Sequence, residues 1–258
     1  MLREPVASPT EVPLETTEDV LLEGRVRLIQ PRRGHRAGTD AVLLAAAASP
    51  RAGERIADFG AGTGAVGLCI AAREPGAEIL LVERDPALAD LCRRNLALNG
   101  REGRGGVVCL DLLEGRAVRE AAGLVGLDLV VTNPPFVEAG EAMRSPERLR
   151  ADAHELPPGG FARWIAAAGD ALRHRGRLLM IQRADRLVTC LDVLRPAFGG
   201  FTIRPVHPRV EAPAIRVLIG AVKGGRATPV LLPPLVLHEA DGSFTAAARA
   251  LHHGRALD

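Results

Sequence analysis

Four consecutive residues, Asn133-Pro134-Pro135-Phe136, follow an apolar stretch, Leu127–Thr132 (LDLVVT), that reads as a buried strand. Two prolines can continue neither a central strand nor a helix, so the chain is held rigid where that strand ends. The chemistry available there is the gripping of an amine. The Asn133 side-chain oxygen and the Pro134 carbonyl can each accept one of the two hydrogens of an NH2 group. A ring-conjugated amine is a poor nucleophile. Held this way, its nitrogen can be aimed at an electrophilic carbon, and the positive charge developing on it is stabilised. No strong base is required before attack, because the proton can leave late. Phe136 offers a flat face on which an extruded or single-stranded base can stack.

A second constellation lies upstream. A short apolar strand, Arg55–Phe59, runs into Asp58-Phe59-Gly60-Ala61-Gly62-Thr63-Gly64, and a helix starts at once. Glycines let the backbone turn sharply and approach a ligand closely. The next strand, EILLVE, ends at Glu83, an acid that can accept from two ribose hydroxyls, with Arg84 beside it. Gly62-x-Gly64-x-x-Gly67 with that acid also satisfies the dinucleotide fingerprint, so a nicotinamide enzyme has to be considered. Asp58 argues for a different ligand: a carboxylate two residues before the first glycine suits the ammonium end of an amino acid and would repel a pyrophosphate. With the third glycine, Gly60, the turn reads as a site for S-adenosyl-L-methionine. A third strand ends at Leu110-Asp111-Leu112, where Asp111 can accept from an adenine amino group and Leu112 can pack on the ring.

These residues need elements to position them. Strands at 55–59, 78–83, 106–110, 127–132 and 176–182 alternate with helices at 65–73, 86–99, 116–124, 161–173 and 185–195. Near-continuous apolar strands separated by helices predict an α/β, doubly wound, mostly parallel sheet covered on both faces. Ligands of such sheets sit at the carboxyl ends of the strands, where both constellations fall. Upstream, residues 1–18 read as a flexible tail, Val20–Gln30 as a hairpin turning at Glu23-Gly24, and Thr39-Asp40 as the N-cap of a helix. This hairpin and helix (19–50) are expected to pack on a single domain reaching residue 258. Strands at 201–205 and 215–222, and a terminal hairpin or strand within 229–244, complete the chain.

The 258 residues include 47% hydrophobic and 25% charged side chains, which allows a sizeable core and excludes a disordered chain. No apolar run approaches the roughly 20 residues of a membrane helix, and the polar N-terminus lacks a signal-peptide core, so the expectation is a cytoplasmic protein with no membrane association. Cys69, Cys92, Cys109 and Cys190 form no CxxC pair and are expected to be reduced thiols, with no metal site. The net charge of +2 is uninformative, but Arg25, Arg27, Arg32, Arg33 and Arg36 cluster without an acid among residues 25–36. Of these, Arg32, Arg33 and Arg36 are candidate phosphate contacts on one rim of the site, with Arg144 and Arg148 on the other.

The Asn-Pro-Pro-Phe turn and the glycine turn together resemble those of class I methyltransferases that act on amino groups. Within that class the chain is most similar to the bacterial tRNA(Val) adenine N(6)-methyltransferase family, over roughly residues 20–250. Three stretches carry the narrower likeness: Arg36-Ala37-Gly38-Thr39-Asp40 before a small-residue helix, the run from Phe136 to Ala153, and Ala214–Gly220 followed by Leu235–Phe244 and a last helix. The resemblance implies that Asn133, Pro134, Pro135 and Phe136 are catalytic. It also implies that Asp58, Gly60, Ala61, Gly62, Gly64, Glu83, Arg84, Asp111, Leu112 and Asn133 line the cofactor site, with Thr39 and Asp40 beside it. The sheet would have seven strands, the last antiparallel, and the substrate would be RNA, most simply adenine in tRNA.

The same turn serves amino methyltransferases of rRNA guanine, DNA adenine and the glutamine of release factors. The glutamine enzymes carry a helical domain before the glycine motif, whereas only 57 residues precede Asp58 here. A nicotinamide oxidoreductase needs a proton donor near the hydride site; the chain has no tyrosine and its seven histidines are scattered.

Overall fold

The computed structural model describes residues 14–34, 36–135 and 156–257. An antiparallel hairpin comes first: β1 (Thr16–Leu21) pairs with β2 (Val26–Pro31). Its first strand begins inside the stretch read as tail, because Thr16 and Thr17 find partners in Pro31 and Gln30. The main sheet follows as β3 (Arg55–Phe59), β4 (Glu78–Glu83), β5 (Gly105–Cys109), β6 (Leu127–Thr132), β7 (Leu172–Arg183), β8 (Phe198–His207) and β9 (Arg216–Lys223). Their order across the sheet is β5-β4-β3-β6-β7-β9-β8, and all run parallel except β9. These are the seven strands expected, with the last in sequence reversed.

The terminal segment differs from a simple hairpin. β10 (Val230–Leu231) and β11 (Leu235–Val236) lie in succession along the outer edge of β8, parallel to it. Pro233 and Pro234 separate them, since neither has an N–H to give to the ladder.

Side chains alternate along each central strand between two packed faces. Ile56, Ile79, Leu81, Leu129 and Val131 join the core beneath α1 (Thr39–Ala47), α2 (Ala65–Arg73) and α7 (Ala246–His252). Ala57, Phe59, Val82, Val130 and Met180 join the opposite core with α5 (Gly160–Ala171) and α6 (Leu187–Leu194). Burial on both faces is why these strands read as unbroken apolar runs. The remaining helices are α3 (Pro86–Leu98) and α4 (Arg116–Ala121). Asp85 caps α3, its Oδ1 accepting from Ala87 and Leu88 N–H at 2.8 and 3.1 Å. For α1 the cap is Gly38 rather than Thr39-Asp40, and no side chain serves it. The Asp40 carboxylate instead accepts from Arg216 Nε at 2.9 Å, across to the start of β9. All four cysteines are free thiols; Cys109 is exposed and the other three are buried.

The hairpin is fastened to α3 by two asparagines one turn apart. Asn95 Oδ1 accepts from Ile29 N–H at 2.7 Å and its Nδ2 donates to Ile29 C=O at 2.8 Å. Asn99 makes the same pair of bonds with Arg27, at 2.9 and 2.7 Å. The free edge of β2 is thereby satisfied by side chains, which closes it to other strands.

Candidate active site

Strand register brings the two constellations together. Phe59 is opposite Val82 on one side and Thr132 on the other, so Gly60, Glu83 and Asn133 leave three adjacent parallel strands at one level. Asp111 lies two residues beyond the Glu83–Cys109 pair. All of them sit at the carboxyl end of the sheet.

The glycine turn is built from backbone. Gly60 and Ala61 N–H both donate to Val82 C=O at 2.9 Å, and Gly64 N–H to Ala61 C=O at 2.8 Å. Gly62 and Gly64 have φ of 59° and 88°, the left-handed region that favours glycine. Glu83, which is buried, ties this turn to the next loop: Oε2 accepts from Gly62 N–H at 2.8 Å and Oε1 from Asp85 N–H at 2.9 Å. Gly67 has a different reason to be glycine. A Cβ there would lie 2.4 Å from Leu81 Cδ2 and 2.9 Å from Ile79 Cγ2, so α2 could not pack as closely on β4.

Asp58, the carboxylate expected to meet an ammonium group, lies at the end of β3 just before the glycine turn. It is 2% exposed, and its Oδ2 accepts from Gly67 N–H at 3.0 Å in the first turn of α2. Burial pushes its pKa up to about 7, against the lowering effect of the Gly67 N–H, with nearby Glu83 raising it further. The Gly67 bond holds the start of α2 against the turn. Leu112 is likewise taken up by the core, 3% exposed among the α5-side residues, which leaves little of it to pack on an adenine. Asp111 Oδ1 accepts from Leu113 N–H at 2.9 Å, shaping the loop. Thr39 is half-buried and Asp40 is engaged by Arg216 at the same edge of the sheet, while Arg84 is exposed.

At the end of β6, Thr132 is fully buried, Pro134 buried and Pro135 half-buried. The Asn133 Oδ1 atom is buried without a hydrogen-bond partner among the described residues. A buried acceptor left unsatisfied is unfavourable by about 1–3 kcal/mol, so a ligand that donates a hydrogen bond to it is favoured there. Phe136, Arg144, Arg148 and Arg150 lie outside the described residues.

The hairpin arginines divide. Arg36 is committed internally, donating to the Thr17 hydroxyl at 2.8 Å, to Pro31 C=O at 2.7 Å and to the Asp19 carboxylate, so it is not available for a substrate phosphate. Arg25 reaches Ala72 C=O and Arg27 pairs with Glu18. Arg32 and Arg33 remain exposed, with no side-chain partner among the described residues. Because Asn95 meets Ile29 and Asn99 meets Arg27, β2 runs toward the N-terminus of α3, which places Arg32 and Arg33 at the edge of the sheet where the site lies.

Sequence reasoning overlooked three supports. Trp164, the only tryptophan, donates from Nε1 to the Thr132 hydroxyl at 3.1 Å, and its ring lies where a Gly60 Cβ would approach within 2.9 Å. Arg119, 6% exposed, donates to Leu112 and Glu114 carbonyls and to Asp170, anchoring the loop after β5. Asn95, fully buried, also donates to Thr63 C=O in the glycine turn at 2.9 Å. An asparagine on an otherwise apolar helix face was the one available sign.

The open backbone at Gly62, where a Cβ would meet nothing within 4 Å, and the acid at the end of β4 suit S-adenosyl-L-methionine, and the unsatisfied Asn133 oxygen at the same level of the sheet suits a donor on a second ligand. A seven-stranded sheet of this order with these turns at its carboxyl edge is the Rossmann-like architecture of class I methyltransferases. Residues 36–205 match the methyltransferase small domain, and the chain belongs to that family of S-adenosyl-L-methionine-dependent methyltransferases. Membership removes the nicotinamide reading of the glycine turn.

Two relatives named tRNA1(Val) (adenine(37)-N6)-methyltransferase are similar in sequence. That of Porphyromonas gingivalis is 35% identical over 59% of this chain and 60% of its own length, so the match spans about three fifths of that relative. That of Aeromonas hydrophila subsp. hydrophila is 32% identical over 81% of this chain and 84% of its own. A structure described as a predicted O-methyltransferase, Atu636 from Agrobacterium tumefaciens, superposes with a TM-score of 0.71 at 32% identity, over 85% of this chain and 98% of that one. No helix among the described residues is long and apolar enough to cross a membrane.

Proposed function

We propose that the protein methylates the N6 amino group of an adenine in tRNA. The observation that carries this reading is the buried, unpartnered Asn133 Oδ1 at the end of β6, one strand from the glycine turn. Bound S-adenosyl-L-methionine supplies an activated methyl group on a sulfonium. Asn133 Oδ1 accepts one amine hydrogen and the Pro134 carbonyl the other, which points the nitrogen lone pair along the line of attack and stabilises the charge that develops on it. Pro135 keeps the turn stiff and Phe136 stacks on the base. Glu83 holds Gly62 in place and offers its remaining lone pairs to ribose hydroxyls. Arg32 and Arg33 take phosphates at the rim, joined by Arg144 and Arg148 from the segment after the catalytic turn. The names of the two sequence relatives support the choice of tRNA, and such a substrate sets the work in the cytoplasm.

The test offers total tRNA from a strain lacking the gene, beside rRNA and release factor, with labelled S-adenosyl-L-methionine. Label on tRNA that digests to N6-methyladenosine is the expected outcome. Label on rRNA guanine, on a glutamine amide or on an oxygen would replace this substrate with another.

A further inference from the structure

We propose that Asn95 is a positioning residue for the cofactor, making the N-terminal hairpin part of the cofactor site. The side chain has four hydrogen-bonding capacities at most, and three are used across two separate segments. Oδ1 accepts from Ile29 N–H and Nδ2 donates to Ile29 C=O, both on the free edge of β2. The second Nδ2 hydrogen goes to Thr63 C=O, between the two left-handed glycines Gly62 and Gly64. One side chain with no exposed surface therefore bolts the hairpin edge to the residue at the centre of the glycine turn.

The neighbouring contacts isolate this role. Cys92, one turn earlier on α3, donates from Sγ to Gly62 C=O at 3.1 Å, so the helix grips the turn at two successive carbonyls. Asn99, one turn later, makes the same two bonds to β2 as Asn95 but reaches Asn95 C=O and not the glycine turn. Asn99 is thus a fastener for the hairpin alone, and Asn95 a fastener for both. A turn with three φ-positive glycines has many conformations open to it, and the fixed Thr63 carbonyl, beside the Cys92 contact to Gly62 C=O, helps keep the Gly62 N–H aimed at Glu83. Order in the hairpin and order in the cofactor turn are then linked, and linkage of this kind is reciprocal.

The inference concerns cofactor binding and stands apart from the RNA reading above. Asn95→Ala and Asn99→Ala are compared by calorimetric titration with S-adenosyl-L-methionine and by thermal unfolding. Both variants lower the unfolding midpoint. Asn95→Ala weakens cofactor binding about 10-fold or more, the size of effect expected from unsatisfied buried groups, whereas Asn99→Ala changes it by less than about twofold. Equal effects of the two variants on affinity, or none from Asn95→Ala, would overturn the proposal. If Asn95→Ala does not fold, hydrogen exchange on the unsubstituted protein decides: cofactor should slow exchange of the Ile29 amide, and an unchanged Ile29 amide would refute the link.

Discussion

The Trp164 indole N–H donates to the Thr132 hydroxyl at 3.1 Å, and that hydroxyl donates in turn to Phe59 C=O at 2.9 Å. Three elements meet in this relay: α5, the residue before Asn133, and the residue before Gly60. Trp164→Phe removes the donor and the far edge of the indole that stands at Gly60, which should lower stability by more than the roughly 0.5–1.5 kcal/mol of the hydrogen bond alone. Trp164→Ala also opens a cavity and should cost about 3–5 kcal/mol. Thermal unfolding measures both; equal losses would show that the ring retained in Trp164→Phe carries no weight.

Two glycines of one motif should fail in different ways. Gly67→Ala drives a methyl into Leu81 and Ile79, an overpacking of about 1–3 kcal/mol. Gly62→Ala meets no neighbour and pays only for its left-handed backbone, about 1–2 kcal/mol. If Gly62 faces the cofactor, however, the new methyl stands in its place. Titration with S-adenosyl-L-methionine should show a large loss of affinity for Gly62→Ala; unchanged affinity would place the cofactor elsewhere.

Asp58 predicts a pH dependence. Its folded pKa is raised to about 7 from 3.8, so between those values the folded chain holds a proton that the unfolded chain releases. The stability associated with that proton is present at low pH and is lost as pH rises through about 7, with a slope of at most about 1.4 kcal/mol per pH unit. Asp58→Asn keeps an acceptor for Gly67 N–H and cannot titrate. The difference between unfolding midpoints at pH 5 and pH 8 should shrink in this variant; the same pH dependence in both proteins would assign the effect to another group.

The exposed pair Arg32 and Arg33 should act through charge. Replacing both with alanine should reduce the slope of log affinity for RNA against log salt by about 1.4–1.8, according to whether the contacted strand is single or paired. Arg36→Ala, which severs the contacts to Asp19 and Thr17, should loosen the hairpin and leave that slope close to its original value. Salt-independent RNA binding would remove this rim from the substrate path.

The backbone of the fold was legible because both faces of the sheet are covered: buried strands become apolar runs, and Pro86 and Gly100 punctuate α3, whose cap Asp85 was not read from the sequence. The turns were legible because glycine and proline act locally. What escaped depended on distant partners. Nothing near Arg36 in sequence says that Asp19 will engage it, and nothing near Leu112 says that α5 will cover it. Asp58 was read as part of the turn, whereas its bond to the Gly67 N–H was not legible. Asn95 and Trp164 matter through residues 32 positions away in each case, Thr63 and Thr132.

The most direct test of the account is a single-turnover methyl-transfer assay on the unsubstituted protein and on Asn133→Ala, with cofactor affinity measured alongside. Removing one preorganised hydrogen bond to the reacting group should slow transfer by about 100-fold or more, with S-adenosyl-L-methionine binding changed by less than about twofold. Transfer retained within a few-fold in Asn133→Ala would contradict the claim that this oxygen holds the amine.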